Sequence, residues 1–242
     1  MEKKKKFIVI AVTISIVLTV IIIAAINVGP MLFMKPSETG EFSNTSIYIL
    51  NSGINNMFLI NSSEGYIVID TGSDVEAIQE ELKKLKINES DIKHVFLTHT
   101  DYDHVAGLSL FKNAKIYMSE DVLQTNGSKK VLYERNSLND KVKVEDVNLL
   151  SDEKLTLGNV PIKSIKAPGH TPGHMIYLVN DTYLFSGDAM EISGNTIKQH
   201  PFTMDEEKSS ESIKTIKNIM KNIDYVFTAH YGYYKAENLN LN

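Results

Sequence analysis

Residues 98–107 read THTDYDHVAG and directly follow an apolar run, VFL, that is typical of a buried strand. In an extended chain, side chains two residues apart project the same way, so His99 and Asp101 can chelate one ion together. Asp103 and His104 come after the chain turns and can face a second ion. Asp and His are also common in solvated turns, so these residues alone leave an ordinary loop open as the alternative. The spacing favours a loop for two metal ions over a zinc finger.

Four further segments carry a polar side chain just after a short apolar run. A carboxylate that leaves a buried strand, as Asp188 does, is costly unless a positive group meets it. Pro168 and Gly169 predict a tight turn from which the imidazole of His170 protrudes. The four segments read VIDTG at 68–72, APGHTPGH at 167–174, FSGDA at 185–189 and TAHYG at 228–232.

Taken in order, the five segments resemble the motifs of the metallo-β-lactamase superfamily, whose signature HxHxDHxxG is similar to HTDYDHVAG. They extend over about residues 45–234. The resemblance implies an α/β fold with four layers, helix, sheet, sheet and helix (αββα). It also implies a metal-dependent hydrolase that acts on a small-molecule substrate.

The resemblance further implies a pair of divalent metal ions, with zinc the usual metal of the family. A water shared by the two ions would lose a proton and become the nucleophile, with Asp103 and Asp188 as the catalytic proton acceptors. Asp70 would orient a ligand from behind the metals, although an aspartate after a strand is also a common helix cap. The implied ligands are His99, Asp101 and His170 for one ion, Asp103, His104 and His230 for the other, and Asp188 between them.

Asp101 departs from the family pattern, which has histidine at this position. A carboxylate is harder than imidazole and favours manganese or iron relative to zinc. A carboxylate also occurs here in the flavodiiron branch, but that branch carries a flavodoxin domain, and only ten residues follow Gly232. Three functions stay open: a hydrolase of an ester, lactone, lactam, thioester or phosphodiester, a non-hydrolytic iron enzyme, and a binding module without turnover.

Composition narrows the chemistry. The 242 residues are 43% hydrophobic, which is enough for one substantial core, and none is cysteine. Disulfides, thiolate ligands and a cysteine nucleophile are therefore excluded, and a metal must be held by histidine and carboxylate. Ser186 lacks a G-x-S-x-G motif, which disfavours serine hydrolysis.

The N-terminus has a different composition from the rest. Residues 7–26 contain no charge, and a helix of this length can cross a hydrocarbon core of roughly 30 Å. The lysines within residues 1–6 then favour a cytoplasmic N-terminus, with a linker at 27–43 and a catalytic domain at 44–242 outside the cell membrane. A cleaved signal peptide is the alternative, although its apolar part is usually only about 7–15 residues.

The charge balance bears on partners. Without Glu2 and the four lysines at 3–6, the chain holds 21 basic and 29 acidic residues. An acidic domain lacks the basic footprint that nucleic acids need, so no nucleic-acid partner is expected. The sequence does not indicate an oligomeric state.

The remaining patterns predict local structure. Helices are predicted at 75–85, 105–111, 120–124 and 205–220, and residues 190–201 follow neither period. Residues 127–140 are polar and without a clear period, and they are predicted to form either a rim loop over the site or a solvated surface loop. Lys198 and His200 are candidates for substrate contact, but we favour a surface role for each. His174 is interpreted as structural or as a support behind the ligands.

Overall fold

The computed structural model describes residues 2–126, 129–132, 137–138 and 146–242. The chain divides into a first unit that ends at Met34 and a second unit that begins at Lys35. The first unit contains the helix α1 (Glu2–Val28) and the 3₁₀ turn Gly29–Phe33. Its described side chains at 12–25 are all exposed.

The predicted membrane span is not supported by the structure. Among the residues whose side chains are described, no helix combines the length and the apolar character needed to cross a membrane. Membrane attachment therefore stays a prediction.

The second unit is built on two β-sheets. Seven of the first nine strands in the described chain form one sheet, in the order β1-β2-β3-β4-β5-β6-β9, while β7 and β8 form a hairpin. The last three junctions of this sheet are parallel and the others antiparallel. The strands are β1 (Gly40–Glu41), β2 (Ile47–Asn51), β3 (Asn56–Ser62), β4 (Gly65–Ile69), β5 (Ile92–Phe96), β6 (Lys115–Ser119), β7 (Leu123–Asn126), β8 (Lys129–Leu132) and β9 (Val147–Leu150).

Eight strands follow in the described chain. Six of them form the second sheet, in the order β10-β11-β12-β13-β16-β17, in which only β13 and β16 are parallel. The pair β14 and β15 is a separate hairpin. The strands are β10 (Glu153–Leu157), β11 (Val160–Lys166), β12 (Met175–Val179), β13 (Tyr183–Gly187), β14 (Glu191–Ser193), β15 (Thr196–Lys198), β16 (Tyr225–Thr228) and β17 (Tyr233–Lys235).

Two amphipathic helices begin at aspartate caps. The Asp74 side chain accepts hydrogen bonds from the N–H groups of Glu76 and Ala77, and the Asp205 side chain accepts one from Lys208 N–H. The predicted helices at 75–85 and 205–220 are thus confirmed, the second with Asp205 as its cap. The helices are α2 (Val75–Leu85), the short α3 (Tyr102–Val105) and α4 (Glu206–Met220), with 3₁₀ turns at Glu89–Asp91, Ala106–Leu110, Glu120–Val122 and Ala236–Asn238.

The alternation of apolar residues in β3 shows how the layers stack. Met57 and Leu59 pack in the cluster that contains Ile78 and Leu82 of α2, whereas Phe58 and Ile60 pack between the two sheets. Successive strand residues point to opposite faces, so an apolar strand without polar interruption is buried on both sides. On the far face of the second sheet, α4 contributes Ile213, Ile216 and Met220 to a third cluster. The predicted αββα sandwich is confirmed.

Polar side chains converge because several strands end at neighbouring sheet edges. The chain leaves the parallel strands β4 and β5 just before Asp70 and Thr98, and Asp70 N–H donates to the Phe96 carbonyl at 2.9 Å. The parallel strands β13 and β16 end just before Asp188 and His230. The sheets are joined there by Met175 N–H, which donates to the Thr98 carbonyl at 2.8 Å.

Three predicted elements differ from the structure. Residues 105–111 were predicted as one helix but divide between the end of α3 and a 3₁₀ turn, and the predicted helix at 120–124 is a 3₁₀ turn followed by β7. Residues 190–201, predicted to be irregular, contain β14 and β15. Strands of three residues joined at Gly194 are too short for a period to be visible. The predicted rim loop at 127–140 lies mostly outside the described residues.

Gly187 provides a test of the junction between the sheets. Its φ is +50°, and a Cβ added there would lie 2.7 Å from Thr98 Cβ, whereas Gly194 has φ +62° and nothing within 4 Å. We expect Gly187→Ala to lower the free energy of unfolding of the metal-free protein by about 2–4 kcal/mol, from left-handed strain and overpacking. Gly194→Ala keeps only the strain, about 1 kcal/mol. Urea denaturation measures both, and equal losses would contradict the close approach.

Candidate metal centre

Asp70 organises the back of the site. Its φ is +56°, a left-handed conformation in which its carboxylate accepts hydrogen bonds from Thr98 N–H and Thr98 Oγ1, both at 2.8 Å. The same carboxylate lies 2.8 Å from His104 Nδ1. A carboxylate only accepts, so the neutral ring of His104 carries its proton on Nδ1 and directs the lone pair of Nε2 away from Asp70. Asp74, not Asp70, caps the helix, so the helix-cap alternative for Asp70 is wrong.

Two other histidines have the same tautomer. Thr98 Oγ1 gives its single proton to Asp70 and therefore accepts from His99 Nδ1 at 3.0 Å. His230 Nδ1 lies 2.8 Å from the carbonyl of Ile54, which can only accept. In the neutral form of both rings, Nε2 is therefore the unprotonated nitrogen. Nε2 of His99 and of His104 is buried and has no hydrogen-bond partner among the described residues.

The carboxylate of Asp188 lies at the middle of these rings. Asp188 is 3% exposed, and its N–H donates to His174 Nε2 at 3.2 Å. From its Oδ2, the Nε2 atoms of four histidines lie at 3.2 Å (His230), 3.5 Å (His104), 3.5 Å (His170) and 3.9 Å (His99).

Among the described residues, the predicted ligands lie in two groups whose spacing fits divalent ions. In the first group, Asp101 Oδ2 lies 3.5 Å from His99 Nε2 and 3.5 Å from His170 Nε2. The second group contains Asp103, His104, Asp188 and His230, with ligand atoms all within 4.8 Å of one another. Two ligands of one tetrahedral ion, each about 2.0–2.2 Å from it, are about 3.4 Å apart. The structure thus brings all seven predicted ligand residues together, and these groups suit divalent metal binding.

In the metal-free site, neighbouring charges shift the pKa values of the buried side chains. Burial raises the pKa of Asp103, but His104 and His230 outweigh it and lower the pKa to about 2. Burial lowers the pKa of His230, and Asp188 and Asp103 reverse this and raise it to about 10. Burial opposes ionisation of Asp188 as well, yet the surrounding histidines bring its pKa well below the usual range. The carboxylates attract positive charge in the absence of metal.

Two further histidines lie in the site. Burial, together with His99 and His170, holds the pKa of His174 well below its usual value. Because its Nε2 accepts from Asp188 N–H, His174 positions the Asp188 backbone, which agrees with its interpretation as structural.

His200, a candidate for substrate contact for which a surface role was favoured, lies in the site. It is 3% exposed, and its Nε2 lies 3.7 Å from Asp188 Oδ2, so its interpretation as a surface residue is wrong. Burial lowers its pKa to about 3. Residues around it show no period that would reveal burial, whereas Lys198, its companion candidate, is exposed as expected.

The site geometry agrees with the comparison to known families. The model described as the Metallo-beta-lactamase superfamily matches residues 50–230. The chain belongs to the metallo-β-lactamase superfamily. Over 177 residues it is 30% identical to a probable metallo-hydrolase of Methanocaldococcus jannaschii, with 72% of this chain and 74% of that protein covered. The superfamily and its hydrolase relatives identify the chain as a metallohydrolase.

Two other similar proteins extend the comparison. A probable polyketide biosynthesis zinc-dependent hydrolase of Bacillus subtilis is 29% identical over 171 residues, which cover 69% of this chain and 68% of that protein. The crystal structure of a subclass B3 metallo-β-lactamase of Bradyrhizobium japonicum aligns with a TM-score of 0.60 at 20% identity, covering 82% of this chain and 79% of that one. The structural match shows the shared fold.

The pKa values of Asp103 and His230 predict how the metal-free protein responds to pH. The stability from Asp103 is complete above its unfolded pKa of 3.8 and is lost as pH falls towards 2. The stability that His230 contributes is complete below its unfolded pKa of 6.5 and is lost as pH rises towards 10. We expect the midpoint temperature of thermal unfolding of the metal-free protein to decrease as the pH is raised from 7 to 10. His230→Gln should flatten this decline while His94→Gln retains it, and a parallel decline in all three proteins would contradict the assignment.

Proposed function

We propose that the protein is a hydrolase with a two-metal centre. The observation that carries this proposal is the position of Asp188, whose Oδ2 lies 3.2–3.9 Å from the Nε2 atoms of the four histidines assigned as ligands. One divalent ion would be held by His99, Asp101 and His170, the other by Asp103, His104 and His230, with Asp188 between them.

The hydrogen bonds behind the rings support this assignment. A histidine binds metal through an unprotonated nitrogen and usually donates its other N–H to a carboxylate or a carbonyl. His104 does so to Asp70, and His230 does so to the Ile54 carbonyl. Because the Nε2 atoms of His99 and His104 are buried without a partner, an ion at this position would satisfy groups that are otherwise costly to bury.

Bound there, divalent ions supply a nucleophile from water and polarise the oxygen of the electrophile. The two catalytic carboxylates differ in their access to solvent, because the Asp103 side chain is 20% exposed and that of Asp188 is 5% exposed. Both stay ionised at neutral pH, so both are available as proton acceptors. We assign the role of proton acceptor during the reaction to Asp103, because it is the more accessible of the two to an entering substrate. We assign Asp188 to holding the two halves of the site together.

The relatives and the ligands bear on the metal and the substrate. A zinc-dependent relative supports zinc, whereas the carboxylate of Asp101 makes manganese or iron a good fit as well. We propose a small-molecule substrate with an ester, lactone, lactam, thioester or phosphodiester bond. Each of these bonds is open to attack by an activated water.

Replacing Asp188 tests the two-metal centre. We expect wild-type protein loaded with zinc, manganese or iron to hold two ions per chain and to hydrolyse at least one member of a panel of these five bond classes. Asp188→Ala should lose at least one ion and more than 99% of turnover while remaining folded, because it removes the charge shared by both groups. Elemental analysis, circular dichroism and the panel measure this.

Asp121→Ala is the matched control. Asp121 pairs with Lys166 at 2.7 Å on the surface, where an ion pair contributes little, so metal content and turnover should be unchanged. An active Asp188→Ala protein with two ions would refute the bridge. Iron with oxygen consumption would favour a non-hydrolytic iron enzyme, and two bound ions without turnover on the panel would favour a binding module.

We propose separately that the N-terminal segment anchors the protein in the cell membrane with the catalytic domain outside. Residues 7–26 carry no charge, and the described apolar side chains of α1 are exposed. The full chain should then sediment with membranes, resist extraction by high salt and start at its own N-terminus. Recovery in the soluble fraction, or an N-terminus after Ala25, would overturn the anchor.

A further inference from the structure

His200 lies beside the proposed metals, on a segment that the rest of the site holds in place. Its ring centroid is 4.7 Å from that of His170 and 5.6 Å from that of His230. Its Nε2 is buried, lies 3.7 Å from Asp188 Oδ2 and has no hydrogen-bond partner in the described part of the chain. A buried polar atom without a partner indicates a partner from outside the protein, such as an ion, a water or a ligand.

The backbone after His200 is fixed to the turn that carries His170. Met204 N–H donates to the carbonyls of Gly169 and His170 at 3.1 and 3.2 Å, and Asp205 N–H donates to the Gly169 carbonyl at 2.9 Å. Gly169 has φ +138°, and a Cβ there would collide with the backbone of Ser209 in α4. The position of His200 is therefore set by the same contacts that place His170.

His200 differs from the histidines assigned as ligands in its second ring nitrogen. In His104 and His230, Nδ1 faces an acceptor, which leaves Nε2 unprotonated. In His200, Nδ1 faces the N–H of Phe202 at 3.4 Å, and a backbone N–H can only donate. Two N–H groups directed at each other would repel, so the neutral ring of His200 carries its proton on Nε2. The group that it presents to the site is a donor.

A second buried group that can donate a hydrogen bond lies close to His200. The hydroxyl of Tyr231 is buried and has no partner among the described residues. Its ring centroid lies 6.0 Å from that of His200. Two unpartnered donors near Asp188 match an oxygen-rich ligand better than an apolar one.

We propose that His200 is a substrate-binding residue whose Nε2–H donates to an oxygen of the acyl or phosphoryl group at the metals. This inference rests on the two-metal hydrolase proposed above. It assigns His200 to orienting the substrate, whereas the geometry of His170, Asp188 and His200, whose ligand atoms lie within 4.8 Å of one another, would also allow a metal ligand. The two roles predict different results when the imidazole is removed. Loss of a ligand would weaken metal binding, whereas loss of a substrate-binding donor would weaken only the binding of the oxygen-containing ligand.

Cobalt-loaded protein distinguishes these roles without turnover. Cobalt affinity is measured by competition with a chelator, and acetate and inorganic phosphate are then titrated in separate experiments while the visible cobalt absorption is followed. We expect His200→Ala to keep the cobalt affinity of the wild type within about threefold. We expect it to bind at least one of the two anions about tenfold more weakly, the effect of one lost hydrogen bond. His200→Gln, which retains an N–H donor, should recover most of this loss.

Two control variants are measured in the same cobalt and anion experiments. His94→Gln alters a buried histidine in β5 that contacts Tyr117 and belongs to neither metal group, and it should match the wild type. His104→Ala removes an assigned ligand and should lose cobalt. If His200→Ala loses cobalt as His104→Ala does, His200 is a ligand and the proposal is overturned.

The other outcomes are also decisive. Unchanged binding of both anions by His200→Ala overturns the proposal, as does a wild-type cobalt protein that binds neither anion. A wild-type protein that binds no cobalt refutes the two-metal centre and this inference together. Failure of the substrate panel with normal cobalt and anion binding would count against the proposed reaction but not against the role of His200.

Discussion

The constraint on which the site depends is a carboxylate, Asp188, buried where two sheet edges meet. An ionised carboxylate removed from water is stable only if positive charge or several donors surround it. Here the surroundings are imidazoles, and further carboxylates from Asp101 and Asp103 lie at the margin. Neutral imidazoles cannot balance three carboxylates, so in the metal-free protein the histidines take up protons, as the raised pKa of His230 shows. Cations at the two groups would take the place of those protons.

Hydrogen bonds one layer behind the site decide what each imidazole can do. His104 and His230 donate their Nδ1–H groups to Asp70 and to the Ile54 carbonyl, so each ring in its neutral form faces the centre with a lone pair. His174 and His200 receive N–H groups instead and cannot present the same nitrogen in the same state. On the proposed assignment, the six neighbouring histidines therefore divide into four ligands, a support for the Asp188 backbone and a donor. Residue type alone does not make this distinction.

The fold explains why the residues meet. Strands β4 and β5 end at one edge of the first sheet, β13 and β16 end at an edge of the second, and bonds such as Met175 N–H to the Thr98 carbonyl join the two edges. Gly187 lets Thr98 approach the second sheet, and Thr98 in turn bonds both Asp70 and His99. Packing between the sheets and orientation of the ligands are thus parts of one arrangement.

The sequence by itself determined the elements whose signals are local. The apolar face of α2, the apolar strands before each motif and the order of the motifs needed only neighbouring residues. The resemblance that those motifs carry implied the αββα fold and the seven candidate ligands. The short hairpin of β14 and β15 and the burial of His200 were out of reach, because three-residue strands carry no period and burial there depends on distant contacts. Only the tertiary structure decided which ring nitrogen each histidine presents, since the deciding bonds join residues far apart, such as His230 to Ile54 and His104 to Asp70.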